Sequence, residues 1–271
     1  MILSSPMAHR ATSAWGREQP QADCRQGQHF NGLLAALPDS VRERWRYALQ
    51  AVHLPRGRLL SEPGIPTSKV YFPTSAIVSL VKSTQLGQPI EIAVIGSEGM
   101  VGTWLCMGSA TTAFGAVVQS AGNGYCMEAR HLMREFNQPG PVLQLMLRYI
   151  QALLTQTAQY AACTRHHSVL QKLCRSLLLN LDRLPSQSIP LTQESIAHTL
   201  GVRRATVTGA AATLRRAGVI KCHPGCIEVL SRAQLENYAC ECYAVVDKEY
   251  RRLLPVGRAA GADAPHAALM Q

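Results

Sequence analysis

The sequence predicts an α+β protein with an N-terminal antiparallel β-roll, a long helix and a C-terminal winged helix-turn-helix domain. Three observations predict this fold class. Short β-branched runs separated by glycine occupy residues 58–128. Residues 141–167 place apolar side chains at helical spacing without an internal glycine or proline. Residues 191–220 have the pattern of two short helices joined by a glycine turn.

The composition favours a folded, basic protein with an anionic partner. The chain has 271 residues, of which 47% are hydrophobic, and this is enough for two ordinary domains. Its formal net charge is +10, a balance typical of proteins that bind nucleic acid or a membrane surface. No apolar run is long enough to span a bilayer, and the N-terminus lacks the apolar segment of a secretory signal. We therefore expect a cytoplasmic protein with no membrane association.

The first half of the chain predicts an arm followed by a β-roll. Residues 1–28 are polar and unpatterned, which predicts a flexible arm. A helix with a break at Pro38 is predicted from Phe30 to Leu54. The β-branched runs at 69–83, 88–97 and 113–129 then alternate with turn residues, and a short helix follows at 131–136. We place this β-roll domain at residues 29–140.

The predicted helix from Pro141 to His167 is apolar on two sides. Proline is favourable in the first turn of a helix. One stripe consists of Val142, Met146, Tyr149, Leu153, Tyr160 and Cys163, and the neighbouring stripe consists of Leu143, Leu147, Ile150, Leu154 and Ala161. Such a helix needs two covers, for which its own β-roll and a partner copy are the candidates. We expect a dimerisation helix at residues 141–167, with the central core helix of a monomer as the alternative.

Residues 168–254 predict a winged helix-turn-helix domain. A helix at 168–184 leads to a first motif helix with Thr192 at its N-cap, and Gly201 suits the left-handed turn that ends it. The second motif helix is predicted from about Arg203 to Ala217. Residues 219–230 predict two strands around a Pro-Gly turn, residues 231–254 one amphipathic helix, and residues 255–271 a disordered tail. The buried face of the second motif helix is predicted to hold Val207, Ala210, Leu214 and Ala217.

The charges on this motif favour DNA as the partner. No acidic residue occurs between Glu194 and Glu228, whereas the same stretch holds Arg203, Arg204, Arg215, Arg216 and Lys221. The solvent-facing side of the second helix is predicted to carry Arg204, Thr208, Ala211 and Arg215. The second helix of such a motif enters the major groove, where arginine can contact guanine through two hydrogen bonds while other cations neutralise phosphates. A solvated basic face on an ordinary helix pair is the alternative.

The order of these elements resembles that of the Crp/Fnr family of bacterial transcription regulators. The resemblance covers about residues 30–254 and is most specific in three segments, VYFPTSAIVSLV, EGMVGTWL and LTQESIAHTLGVRRATVTGAAATLRRAGVI. It implies a homodimer that binds a two-fold-symmetric site on double-stranded DNA. It also implies that a signal at the β-roll controls the placement of the recognition helices, and it makes RNA polymerase a candidate partner.

The resemblance assigns roles to single residues of the motif. Arg204 matches the family arginine that reads guanine, and Thr192 and Thr206 match positions that commonly contact phosphate. The chain departs from the family pattern at three positions, with Ala205 in place of a frequent glutamate, Gly209 in place of a frequent arginine, and Arg203 where serine or threonine often caps the helix. The target sequence best known for the family is therefore not expected here. The complete predicted set of DNA-binding residues is Thr192, Arg203, Arg204, Thr206, Thr208, Arg215 and Lys221.

The sensor half departs further from the family pattern. Members that bind cyclic nucleotides hold the ribose with a glycine-glutamate pair, whereas here Gly102 is followed by Thr103. Phe114 and Gly115 stand near the positions of the arginine and serine or threonine that hold the cyclic phosphate, and phenylalanine supplies no charge. These four residues form our candidate pocket for an effector of unknown identity, and cyclic AMP is not expected to regulate the protein. A four-thiolate iron–sulfur cluster near the N-terminus is not expected either, because that region contains only Cys24.

Three other functions compete with this interpretation. Cys222, His223 and Cys226, together with Cys240 and Cys242, suggest a zinc or thiol-redox site, although the spacing is irregular. An enzyme would be indicated by a Gly-rich phosphate loop, an HExxH motif or a GxSxG motif, and the sequence contains none of them. A membrane-surface binder fits the net charge but not its concentration in one motif. We therefore expect no catalytic residue, no metal site and no cofactor, and we keep thiol-redox or metal-responsive regulation as the alternative.

Overall fold

The computed structural model describes residues 31–83, 89–184 and 186–254. The arm predicted at 1–28 and the tail predicted at 255–271 lie outside these ranges. The first half of the chain contains α1 (Gly32–Ala35), α2 (Asp39–Trp45), β1 (Gln50–Leu54), β2 (Leu59–Ser61), β3 (Lys69–Pro73), β4 (Ile77–Lys82), β5 (Ile90–Ile95), α3 (Thr103–Cys106), β6 (Gly115–Ser120), β7 (Gly122–Glu128) and α4 (Ala129–Phe136).

The strands of this half form two antiparallel sheets. One sheet has the order β1-β7-β3 and the other the order β2-β6-β4-β5. Their facing sides enclose an apolar core that includes Leu54, Val78, Ile95 and Trp104. This arrangement confirms the predicted α+β class with antiparallel strands in the N-terminal part.

The prediction of helix from Phe30 to Leu54 is wrong in its last part. Residues 50–54 form β1, which pairs with β7 in the register Gln50↔Cys126 to Leu54↔Gly122. The strand lies at the edge of its sheet, where Gln50, Ala51 and His53 are exposed and Leu54 is fully buried. The strand that pairs with β1 lies about 70 residues further along the sequence. A local pattern of side chains does not reveal such a distant partner.

The second half of the chain begins with the long helix. Its elements are α5 (Pro141–His166), α6 (Val169–Leu181), β8 (Ser188–Ile189), α7 (Gln193–Leu200), α8 (Arg204–Arg216), β9 (Ile220–His223), β10 (Cys226–Val229), α9 (Arg232–Tyr238) and α10 (Glu241–Leu253). The strands form a small antiparallel sheet in the order β8-β10-β9. Gly225, with φ of 80°, lies in the tight turn between β9 and β10, as the Pro-Gly dipeptide predicts.

The single last helix predicted at 231–254 is instead two helices. Ala239 and Cys240 have extended backbone angles, so α9 ends at Tyr238 and α10 begins at Glu241. The break lets α10 pack along α5, where the Gln156 Nε2 donates to the Tyr250 hydroxyl at 2.9 Å. Gln156 also bonds both the N–H and the C=O of Val94, so one buried amide joins α5, α10 and β5.

The long helix buries one of its two predicted stripes. Val142, Met146, Tyr149, Leu153, Tyr160 and Cys163 are all buried against the rest of the chain. The other stripe faces outward, with Leu147 51% exposed and Leu154 67% exposed.

No helix in the described ranges combines the length and apolarity needed to cross a membrane.

Candidate nucleic-acid interface

The helix-turn-helix is built from local sequence signals. Thr192 caps α7 through a reciprocal pair, in which the Ser195 N–H donates to Thr192 Oγ1 and the Thr192 N–H donates to Ser195 Oγ, both at 3.0 Å. Gly201 ends α7 in the left-handed region, with φ of 63°, which favours glycine. Val207 is fully buried between the helices. The sequence identifies Thr192 and Gly201, but the role of Ser195 appears only in the structure.

The buried face of α8 differs by one position from the prediction. Val207, Ala211 and Leu214 are buried, whereas Ala210 is only half-buried and Ala217 is exposed. Ala211 therefore belongs to the core and not to the solvent-facing side. Because α8 packs against α6 as well as α7, the contact direction is set by two neighbours, and the helical period alone does not determine it.

The outer face of α8 is open to solvent along its length. Arg203, Arg204, Ala205, Thr206, Thr208, Gly209 and Arg215 are all exposed. Apart from its chain neighbours and its own helix backbone, no atom of the described residues lies within 4 Å of the position that a Cβ would take on Gly209. A recognition helix must be accessible in this way to enter a groove of DNA.

The cations of this face have no anionic partner within the described part of the chain. The side chains of Arg203, Arg204, Arg215, Arg216 and Lys221 take part in none of its ion pairs or side-chain hydrogen bonds. By contrast, Arg232 on α9 and Arg252 on α10 are each paired with a carboxylate. The surface formed by α8 and the wing therefore carries uncompensated positive charge, which attracts a polyanion.

Two predicted DNA contacts have intramolecular partners. Thr208 Oγ1 donates to Gln193 Oε1 at 2.8 Å and lies 3.1 Å from the Arg204 carbonyl. The hydroxyl of Thr192 is engaged in the capping pair with Ser195. Thr208 thus ties α8 to α7 and positions Gln193, a residue that the sequence analysis does not single out. Thr206 is exposed and makes no side-chain bond to the described residues.

A groove separates the start of α7, the start of α8 and the wing. It has a volume of about 300 Å³, and its walls include Thr192, Arg204, Gly225 and Cys226. Arg203 caps α8 without a side-chain hydrogen bond, so the first amide groups of that helix keep their capacity to bind an anion. This part of the surface therefore has the shape and the charge to receive a phosphate backbone.

The four residues predicted for an effector pocket lie close to a packed aromatic pair. Gly102, with φ of 118°, precedes α3, and Thr103 is 3% exposed. Phe114 meets the ring of Trp104 edge-on at 5.6 Å, and Gly115 begins β6. Trp104 Nε1 donates to Thr67 Oγ1 at 3.1 Å. Trp104, which the sequence analysis overlooked, follows Thr103 and contacts Phe114, and so connects the two halves of the predicted pocket.

A cavity in the β-roll is bordered by Thr67, which accepts the hydrogen bond of Trp104. It measures about 180 Å³ and is lined by residues 59–62, 65–69 and Tyr71. None of Gly102, Thr103, Phe114 and Gly115 lines it.

The cysteines and the histidine that the sequence suggests as a zinc or redox site divide into two separate sets. Cys222, His223 and Cys226 lie in the wing, where His223 Nε2 is 3.1 Å from Glu228 Oε2. Cys240 and Cys242 lie at the start of α10, and Cys240 Sγ is 3.5 Å from Cys163 Sγ. The hydrogen bond from Cys163 lowers the pKa of the Cys240 thiol to about 5, but Cys240 is only 5% exposed. A reactive redox thiol needs both a low pKa and access to solvent, so this cysteine meets one condition only.

Comparison with known proteins supports the assignment of the C-terminal region. Residues 171–238 match the family model of the Crp-like helix-turn-helix domain. A search of curated protein sequences gave no match.

Solved structures match most of the chain at low sequence identity. FixK2 from Bradyrhizobium japonicum is 14% identical, with a TM-score of 0.61 over 71% of this chain and 98% of that one. A protein from Eubacterium rectale described as a Crp/Fnr family transcriptional regulator is 15% identical, with a TM-score of 0.60 over 76% of this chain and 96% of that one. The c-di-GMP responsive global regulator CLP from Xanthomonas campestris is 14% identical, with a TM-score of 0.57 over 72% of this chain and 100% of that one.

The helix-turn-helix and the wing thus agree with the family model, and the antiparallel roll agrees with the fold of the solved structures. The chain carries a Crp-like helix-turn-helix domain within the fold of the Crp/Fnr family of transcription regulators.

Proposed function

We propose that the protein is a sequence-specific transcription regulator of the Crp/Fnr type, which binds double-stranded DNA as a homodimer and does not respond to cyclic AMP. The observation that carries the proposal is the exposed outer face of α8, with its unpaired cations. The wing adds Lys221, whose side chain is exposed on β9. Phosphate neutralisation by such cations supplies affinity, and contacts with base edges supply specificity.

Arg204 is the proposed base-reading residue. It is the first residue of α8 and lies on the groove beside the wing, at the end of a recognition helix that approaches base edges. Its neighbours on the exposed face, Ala205 and Gly209, cannot form side-chain hydrogen bonds with bases. Specificity should therefore depend on few direct contacts. Arg203, Thr206, Arg215 and Lys221 are proposed phosphate contacts, whereas Thr192 and Thr208 would act mainly by holding α7 and α8 in place.

The experiment that tests DNA recognition is selection from a library of random duplexes with the full chain. We expect enrichment of a two-fold-symmetric sequence whose half-sites are about 34 Å apart, one helical turn. Affinity for the selected site and for a scrambled duplex is then measured at several salt concentrations. A polycation without base recognition would bind both duplexes equally at every salt concentration, and that result would refute the proposal.

The exposed stripe of α5 supports the homodimer. Leu143, Leu147, Ile150 and Leu154 follow a four-three-four spacing, which is the spacing of a coiled-coil seam. The buried stripe of the same helix already packs on the chain's own core. A long apolar stripe on an otherwise packed helix marks an interaction surface, and the same stripe on a second copy is its self-complementary partner.

Loss of the cyclic AMP response is proposed from the chemistry near α3. Thr103 stands where a carboxylate would bind a ribose, and it is buried. Phe114 stands where a guanidinium would bind a phosphate, and it packs on Trp104 instead. Calorimetry with the full chain is the direct test, because we expect no heat of binding at micromolar cyclic AMP. Saturable binding accompanied by tighter DNA binding would contradict this part of the proposal.

Further parts of the proposal are a cytoplasmic location, contact with RNA polymerase and the absence of enzymatic activity. The effector remains unnamed. Thiol-redox regulation is the second candidate, and the 3.5 Å distance between Cys163 Sγ and Cys240 Sγ favours it. The burial of both thiols opposes it. Operator binding that is unchanged by peroxide and by reductant would exclude a redox switch, whereas a reversible loss would support one.

A further inference from the structure

Four side chains that can bind a metal converge where α5 meets α10. Cys163 and His167 come from the end of α5, and Cys240 and Cys242 come from the start of α10. Their ligand atoms all lie within 4.8 Å of one another. This is the one group of three or more cysteine, histidine or acidic side chains within metal-binding reach among the residues that the structure describes.

The spacing of these atoms suits one tetrahedral ion. A zinc–sulfur bond of about 2.3 Å in a tetrahedron places neighbouring sulfurs about 3.8 Å apart. Cys163 Sγ and Cys240 Sγ are 3.5 Å apart, and Cys242 Sγ is 3.5 Å from His167 Nδ1. The two observed distances are close to the edge length of such a tetrahedron. Small side-chain adjustments would therefore bring all four atoms within bonding distance of one ion.

The imidazole of His167 is held as metal-binding histidines usually are. Its Nδ1 lies 3.5 Å from Cys242 Sγ, and its Nε2 lies 3.2 Å from Glu241 Oε1. A carboxylate that accepts the distal N–H of a ligand histidine fixes its tautomer and orientation. Ordinary packing explains buried cysteines, but it gives no reason for an imidazole to lie within 4.8 Å of three thiols while a carboxylate contacts one of its nitrogens.

Burial and charge also fit an enclosed ion. Cys163, Cys240 and Cys242 are 0%, 5% and 1% exposed. Three thiolates and Zn²⁺ carry a net charge of minus one. Arg175 is 2% exposed and lies over the ring of Tyr160, one turn before Cys163, at 3.7 Å, while its Nε and Nη1 have no hydrogen-bond partner among the described residues. A buried cation of this kind would be compensated by an anionic centre.

We propose that Cys163, His167, Cys240 and Cys242 form a structural site for a single Zn²⁺ ion. Four protein ligands close the coordination sphere, which is typical of structural and not catalytic zinc. Binding would release protons from the thiols that are still protonated and leave the oxidation state of sulfur unchanged. The ion would tie the end of α5 to α10 beside the α5–α6 junction, and so anchor the region from which the helix-turn-helix domain extends.

The experiment measures metal content in the full chain, purified with a reductant from cells supplied with zinc. We expect about one zinc ion per chain by elemental analysis, as for a closed four-ligand site. Replacement by Co²⁺ should produce thiolate-to-cobalt charge-transfer bands and the intense visible bands of tetrahedral cobalt. The thermal midpoint should fall when a chelator removes the ion and return when zinc is restored, since binding to the folded state stabilises it.

Matched variants assign the ligands. His167→Gln and Cys242→Ser should lose the metal, whereas His166→Gln, one residue away on the exposed side, and the wing variant Cys222→Ser/Cys226→Ser should retain it. Glu241→Gln should keep the site but weaken zinc affinity by about 10–100-fold. The chelation arm on the unaltered chain keeps the test valid if a cysteine variant fails to fold.

Three results would overturn the site. One is a folded chain that contains no zinc and shows no tetrahedral cobalt spectrum. Another is equal loss of metal in the His166→Gln or wing controls. A third is a Cys163–Cys240 disulfide, or an iron chromophore, in the protein isolated with zinc and reductant. None of these readouts involves DNA, so a result that refutes the metal site would leave the proposed regulatory function untouched, and the reverse also holds.

Discussion

Arg183 and Glu98 form an ion pair that is closed off from solvent, with side chains 0% and 6% exposed. Arg183 Nη2 lies 2.6 Å from Glu98 Oε1, and Arg183 Nε donates to the same oxygen at 2.7 Å. Arg183 follows α6, whereas Glu98 lies in the loop between β5 and α3. Burial by itself lowers the pKa of Arg183, but the proximity of Glu98 and other negative groups outweighs this effect and raises the pKa. The pair therefore connects the β-roll to the helix that leads into the helix-turn-helix.

Removing one member of this pair should be strongly destabilising. Arg183→Met leaves the Glu98 carboxylate buried without its partner, and the expected loss in the free energy of unfolding is about 3–5 kcal/mol. The double variant Arg183→Met/Glu98→Gln removes both charges and should recover much of that loss. Urea unfolding of Arg183→Met, Glu98→Gln and the double variant gives the interaction energy. A double variant whose loss equals the sum of the single losses would show that the two residues do not interact.

Arg204 and Lys221 should contribute to DNA binding in different ways. Arg204→Ala should reduce discrimination between the selected site and a scrambled duplex by about 1–3 kcal/mol, because a bidentate contact with guanine is lost. Lys221→Ala should weaken both complexes about equally and reduce the salt slope by roughly one unit, as expected for a phosphate contact. Titrations at several salt concentrations measure both effects. If Arg204→Ala lowers both affinities by the same factor, Arg204 contacts phosphate only.

The outward stripe of α5 should control the oligomeric state. Leu147→Lys/Leu154→Lys places two charges on positions that are 51% and 67% exposed in one chain, so the monomer should still fold. We expect sedimentation to show monomers, with affinity for a two-fold-symmetric site reduced about a hundredfold or more because the two half-sites no longer bind together. Gln144→Lys, on the neighbouring exposed face, is the control and should remain dimeric. A variant with both lysines that still sediments as a dimer would place the interface elsewhere.

Glu91 should make stability fall as the pH rises. Burial raises the pKa of its carboxyl above the ordinary 4.5, against hydrogen bonds from Ser79 and Tyr160 and the charges of Arg175 and Arg183. The folded state therefore holds a proton that the unfolded state has lost, so stability declines from about pH 4.5 up to the raised pKa. Glu91→Gln keeps an acceptor for Ser79 and should raise the thermal midpoint at pH 8 more than at pH 4.5.

The variant Ser79→Ala should strengthen the pH dependence caused by the Glu91 carboxyl, whereas Glu91→Gln should remove it. Ser79→Ala removes the hydrogen bond of 2.5 Å to Glu91 Oε2, so the charged form should become still less favourable and the decline should extend to higher pH. If Glu91→Gln is less stable than the unaltered chain at pH 8, attraction to Arg175 and Arg183 outweighs the cost of burying the charge.

The local sequence was sufficient to predict the features of the helix-turn-helix that depend on near neighbours. Thr192 at the start of α7, Gly201 in its left-handed turn and the Pro-Gly turn of the wing all follow from preferences that act within about four residues. The two stripes of α5 follow from helical periodicity in the same way. These signals predict where helices begin and end, and which side chains share a face.

The tertiary structure alone decided which partner each face meets. Leu153 and Leu154 are adjacent in the sequence, yet one packs in the β-roll core and the other is exposed. Ala211 is buried in place of Ala210 because α8 packs against two helices at once.

Cys163 and Cys240 lie 77 positions apart and meet only because α10 folds back along α5. The sequence analysis therefore grouped Cys240 and Cys242 with the wing cysteines. A contact between distant segments depends on how whole helices and sheets pack together. The spacing of side chains along the chain does not predict such a contact.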